Sequence, residues 1–286
     1  MATLLTSNTY GANSGNTTMF RAYGTAISNA FANAGWIQVD TNSAINWTTV
    51  VANGSAGVYS GSEVWRMNDA LQNTAPIYVC VNYGTGSGGN RPALAITVGH
   101  SSNGSGGLCG ALSSNVVMQT GVVISSTYPC YFTGSNNYII FCMWLTSAYA
   151  LVFSIERTHD SNGDDTAEGA LITWIMNGSY AQQFWNITTG GAPAETSVGA
   201  FIQGIAQTGV PPKFNWYPVW FSKGTFLNPS KNIIYGSINH FTSGAISTVT
   251  HYGAAHNYVA LPVWGSSPAN RAAATASNFR VSVLWE

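Results

Sequence analysis

Ser154–Trp174 reads SIERTHDSNGDDTAEGALITW and holds Glu156, Asp160, Asp164, Asp165 and Glu168, half of the chain's ten acidic residues. The flanking runs LVFSIERTH and ALITWIM are short and rich in β-branched and aromatic residues, as strands are. Between them, DSNGDDTAEG has the composition of a turn, so the stretch reads as a β-hairpin with an acidic tip. On the first strand, alternation puts Glu156 and Thr158 on one face and Arg157 and His159 on the other. Glu156 and Arg157 are therefore not placed to pair with each other. Asp160, Asn162 and Asp164 follow the alternate-oxygen spacing that opens a calcium loop. The rest of an EF-hand is missing, and Gly163 comes before the third ligand position. A tip held by Asx turns, solvated or against a neighbouring subunit, is the first expectation, with a Ca2+ site as the alternative.

The same strand composition recurs along the chain, in PIYVCVNYG, ALAITVG, NYIIFCMWL, KFNWYPVWF, NIIYGSINHF, ISTVTHYG, HNYVALPVW and NFRVSVLWE. Each is bounded by Gly, Asn, Ser or Pro, which predicts a mainly β protein of β-sandwich or jelly-roll-like architecture. A lobe boundary is expected in NITTGGAPAETS (Asn186–Ser197), giving lobes 1–190 and 191–286 unless the domain is continuous. One amphipathic helix stands near the N-terminus, where Phe20, Tyr23, Ile27 and Phe31 recur at spacings of three and four. Asn16 or Thr17 can cap its start and Gly35 its end. A polar helical turn is expected in NDALQNTA, stopped by Pro76. Gly-rich GTGSGGNRP and HSSNGSGGLCG are too long for tight hairpins and read as surface loops.

Charged residues make up 7% of the 286, while 45% are hydrophobic. An ordinary globular protein carries about 25% charged residues. Asn, Ser, Thr and Gly must supply the solvated surface, and such a neutral surface suits a chain covered by other subunits. With a net charge of −1 and nine scattered Lys and Arg, nothing neutralises a run of phosphates, which argues against nucleic acid. No apolar run reaches membrane-spanning length, and the first residues lack a basic n-region and an apolar h-region, so a soluble protein made in the cytosol is expected. Cys80, Cys109, Cys130 and Cys142 have no metal or redox spacing and are expected to be buried free thiols. The six N-x-S/T sequons read as chance in so Asn-rich a chain.

Enzyme signatures are incomplete in this sequence. Gly84, Gly86 and Gly89 fit G-x-G-x-x-G, but Pro92 and the strand ALAITV follow where a phosphate-binding helix should start. There is no nucleophile elbow and no H-E-x-x-H, and His251 and His256 flank a turn as expected surface residues. A glycan depolymerase would need opposed carboxylates, for which Glu63 with Asp69, or Glu156 with a tip Asp, are the economical pairs. Trp216 and Trp220 alternate onto one face of FNWYPVWF and are the candidate aromatic surface for a sugar, set against a core role. No catalytic residue and no cofactor is assigned.

Gly61–Gly99, Phe153–Trp174 and the C-terminal NYVALPVWG and NFRVSVLWE, together with NAFANAGWIQVDTNSAINW (Asn29–Trp47), resemble structural proteins of tailed bacteriophage virions. The resemblance implies a non-enzymatic virion component assembled in the host bacterial cytoplasm. A tail, baseplate or fibre position is the first expectation, with capsid decoration and cell-surface glycan binding as alternatives. It also implies self-association, with three-fold closure expected first, and contact with other virion proteins.

Overall fold

The computed structural model describes residues 2–9, 17–53, 58–85, 92–111, 116–119, 127–146, 149–175, 183–186, 216–223, 226–237, 245–264 and 279–285, some as backbone only. The chain is mainly β, with three antiparallel sheets and one N-terminal helix. In order, the elements begin with β1 (Ala2–Thr9), α1 (Thr17–Asn33), β2 (Ile37–Val39), β3 (Tyr59–Arg66), β4 (Tyr78–Thr85), β5 (Pro92–Ser102), β6 (Leu108–Ala111) and β7 (Val116–Gln119). They continue with β8 (Thr127–Ser135), β9 (Tyr138–Thr146), β10 (Tyr149–His159), β11 (Asp165–Ile175) and β12 (Gln183–Asn186). The last five strands are β13 (Trp216–Lys223), β14 (Phe226–Ser237), β15 (Ile246–His251), β16 (Ala254–Trp264) and β17 (Phe279–Leu284).

The first sheet runs β2-β3-β4-β5-β6, with β7 also on β5; the second runs β1-β8-β9-β10-β11-β12; the third runs β13-β14-β17-β16-β15. One core joins the helix to the first two sheets. It contains Phe20, Tyr23, Ile27 and Phe31 from α1, Trp65, Val79, Val81, Tyr83, Leu94, Ile96 and Val98 from the first sheet, and Phe132, Ile139, Phe141, Phe153 and Ile155 from the second. Phe31 stacks on Trp65 at 5.3 Å and lies 6.3 Å from Phe153, so a single side chain touches both sheets. Burying such a ring is worth about 1.5–3 kcal/mol, so docking on this core stabilises the helix more than its intrinsic propensity does. Gly35, at φ +88°, ends α1 as its composition suggests: its N–H and that of Trp36 bond back to Ala32 and Phe31 at 3.0 and 3.1 Å. The polar segment after β3 forms two overlapping turns: the Gln72 N–H donates to the Asp69 carbonyl at 3.3 Å, and the Thr74 and Ala75 N–H groups donate to the Leu71 carbonyl at 3.1 and 2.8 Å.

A second interface lies on the opposite face of the second sheet. Cross-strand partners Ser154, Ile140 and Thr133 share that face and are buried, as is Glu156 further along β10. Glu156 meets Ser230 and Asn232 of β14, which places the third sheet there. The second sheet is thus the middle layer, buried on both sides, and β10 runs through its centre. Asn16 and the lobe boundary at Asn186–Ser197 fall wholly or largely outside the described residues.

Candidate functional site

The polar residues of the acidic run are used inside the protein, in opposite directions. Arg157 and Glu156 are successive strand residues and so point to opposite faces. Arg157, fully buried, reaches across to the turn after β3. There its Nε donates to Asp69 Oδ2 while Nη2 donates to Asp69 Oδ1 and to the Ala75 carbonyl, each at 3.0 Å. Such a fork on a carboxylate is directional as well as charge-assisted. Glu156, also fully buried, accepts from Ser230 Oγ at 2.6 Å and from the Asn232 amide. Burial pushes its carboxyl above the usual range, opposed by the charge of His159 and by these two hydrogen bonds.

Beyond Arg157 the ladder shifts register, so His159 comes opposite Asp165. His159 Nε2 lies 3.2 Å from Asp165 Oδ1, and Asn137 Nδ2 donates to Asp165 Oδ2 at 2.5 Å. The tip itself is an Asx turn, as expected for this composition: Asp160 Oδ1 accepts from the N–H groups of Asn162 and Asp164 at 2.8 and 3.0 Å. These bonds hold the Asp160 carboxyl below its ordinary value. Gly163 takes φ +85° beneath the ring of Tyr252, and a Cβ there would stand 2.9 Å from Tyr252 Cγ. Among the described residues, no group of three or more His, Cys, Asp or Glu side chains converges.

Two further expectations, for His251 and for Cys109, do not hold. His251 is buried although Gly253 and Ala254 of the turn beside it are exposed, because its ring lies between Tyr252 and Tyr258. Its ring stacks on Tyr252 at 4.4 Å, and Nδ1 lies 3.1 Å from the Tyr258 hydroxyl. His256 is half-buried. Cys109 is exposed on the short strand β6, unlike buried Cys80 and Cys142; all three are free thiols.

Glu63 does not face Asp69 across a cleft. It sits under α1, accepting from Trp47 Nε1 at 2.8 Å and Ser28 Oγ at 3.1 Å on one oxygen, and from Tyr83 Oη at 2.9 Å and Trp65 Nε1 at 3.4 Å on the other. Burial raises its pKa against those four bonds. Asp69 is taken by Arg157, so neither carboxylate pair forms an open acid–base site. Of the Gly-rich segments, residues 86–91 lie outside the described residues, and β5 follows them in place of a helix. HSSNGSGGLCG forms the β5–β6 hairpin, where Asn103 Oδ1 accepts from Ser105 and Gly107 and Asp40 accepts from Ser102 and Gly106.

Trp216 and Trp220 lie on β13, their backbones opposite Gly236 and Pro229, with a register shift between Pro218 and Trp220. Their side chains are outside what the structure describes. The residues that sequence reasoning missed are Ser230 and Asn232, separated from Glu156 by 74 and 76 positions. No protein-family model matches the chain, and no curated protein matches it.

Proposed function

We propose that this chain is a non-enzymatic structural protein of a tailed bacteriophage particle, carried on the tail and assembled with copies of itself and other virion proteins. The observation that carries this reading is where the charged groups go. Glu63, Asp69, Glu156 and Arg157 are buried or nearly so and tie layers of the fold together. Among the residues whose side chains are described, Asp164 is the only charged one that is exposed. A surface of neutral polar groups associates without stripping water from ions, which favours permanent assembly. The resemblance of Gly61–Gly99 and Phe153–Trp174 to virion proteins points the same way.

Cryo-electron microscopy of intact particles, with this chain located in the density, tests the proposal. Density at the tail supports it and makes contact with the host surface the next question. Density spread over the head would replace the tail position with capsid decoration, and its absence from the particle would overturn the virion reading altogether.

A further inference from the structure

Where β15 turns into β16, the third sheet touches the tip of the β10–β11 hairpin through Tyr252, which covers Gly163 and lies 6.2 Å ring to ring from His159. His251 sits immediately behind that contact. The Tyr258 hydroxyl donates its single proton to the Lys231 carbonyl at 2.6 Å, so at 3.1 Å His251 Nδ1 must be the donor to Tyr258 Oη. The neutral ring with its proton on Nδ1 satisfies this chain, which runs from β15 through β16 to β14.

We propose that protonation of His251 releases the β15–β16 turn from the β10–β11 hairpin, making this contact an acid-operated latch. A second proton would put a positive charge on a buried ring. The charged groups facing it are the Lys231 ammonium from β14, the His256 imidazole from β16 and the His159 imidazole from β10. Asp165 is engaged by His159 and Asn137, and Glu156 by Ser230 and Asn232. Glu156 and Asp160 act on the neighbouring Tyr252 hydroxyl. Desolvation first, then the fields of His256, His159 and Lys231, push His251 down to about 4 from an ordinary 6.5, against a hydrogen bond to the Lys231 backbone that favours the protonated ring. A ring that titrates near 6.5 once released therefore favours the open latch increasingly as pH falls from 6.5 towards 4. The latch is closed and indifferent to pH above that window.

Hydrogen–deuterium exchange of the full chain at pH 7 and pH 4, corrected for the intrinsic rate, tests this. Protection of amides in β15 and β16 should fall at least about tenfold at pH 4, while β4 and β5 keep theirs. His251→Asn, whose amide can replace Nδ1–H but cannot titrate, should keep the latch protected at pH 4. Unchanged protection in the wild type, or the same acid loss in His251→Asn, would overturn the proposal. In case the variant opens at every pH, a carbon-13 titration of the wild-type His251 ring decides. A midpoint coinciding with the loss of protection supports the latch, and titration near 6.5 with protection intact overturns it.

Discussion

Arg157 of β10 grips Asp69 in the turn after β3, 88 residues earlier in the chain, with two guanidinium nitrogens on two carboxylate oxygens. Both side chains are almost fully out of solvent, at 0% and 6% exposure. The pair locks the second sheet to the first at the end where the shared apolar core stops.

Asp69→Asn leaves the buried guanidinium without the carboxylate it grips. Removing one partner of a buried ion pair typically costs about 3–5 kcal/mol, so the variant should unfold at clearly lower denaturant than the wild type. Urea titration followed by tryptophan fluorescence measures the shift in midpoint. An unchanged midpoint would mean that the fork adds nothing to the docking of the sheets.

Gly24→Ala would ordinarily stabilise a helix interior by about 0.5–1 kcal/mol. Here a Cβ would stand 1.8 Å from Cη2 of Trp47, whose ring lies flush on the helix backbone. Overpacking should win, giving a net loss of about 1–3 kcal/mol and a change in tryptophan emission as Trp47 is displaced from Tyr83 and Glu63. Thermal melting together with the emission spectrum checks both parts.

Glu156→Gln is expected to be neutral or stabilising at pH 7. The folded carboxyl titrates above its unfolded value of 4.5, so its contribution is full below 4.5 and lost as pH rises through the raised folded value. Gln removes that penalty, and a flipped Asn232 amide can present its oxygen to the new NH2. Glu156→Ala instead strands Ser230 and Asn232 and should cost about 1–3 kcal/mol. Melting curves from pH 4.5 to 7.5 should show the Gln variant's advantage shrinking towards acid.

Calcium should leave the protein unchanged. Oδ1 of Asp160 already accepts two backbone N–H groups, and the turn is closed without an ion. Calorimetric titration with Ca2+ is expected to show no saturable heat, and a chelator should not move the melting temperature. A saturable signal lost in Asp164→Ala would restore the cation site.

What could be read in advance was local. The helix announced itself because Phe20, Tyr23, Ile27 and Phe31 repeat at the helical period, and Gly35 ends it by a backbone geometry that glycine tolerates best. The acidic hairpin was legible from two strand-like flanks around a turn. The layering was not legible, because the partners of a polar strand residue are set by which sheet lies over it. Ser230 and Asn232 carry no local mark of binding Glu156. One signal was present: LVFSI has no polar alternation, as expected of a strand covered on both faces, which foretold that the residues following it would also be enclosed. His251 and Cys109 were misjudged for a related reason, since proximity to a turn or to apolar neighbours says nothing about what folds over that point.

The adjacency of Glu156 and Arg157 has a mechanical side. A tensile load separating the helix-bearing layer from the C-terminal sheet would converge on two consecutive peptide units, pulled in opposite directions like the two heads of a rivet. Their strand is hydrogen-bonded along its length to β9 on one side and β11 on the other. The strain would therefore be distributed sideways as shear over the whole middle sheet, and the layers should yield together instead of peeling apart one by one.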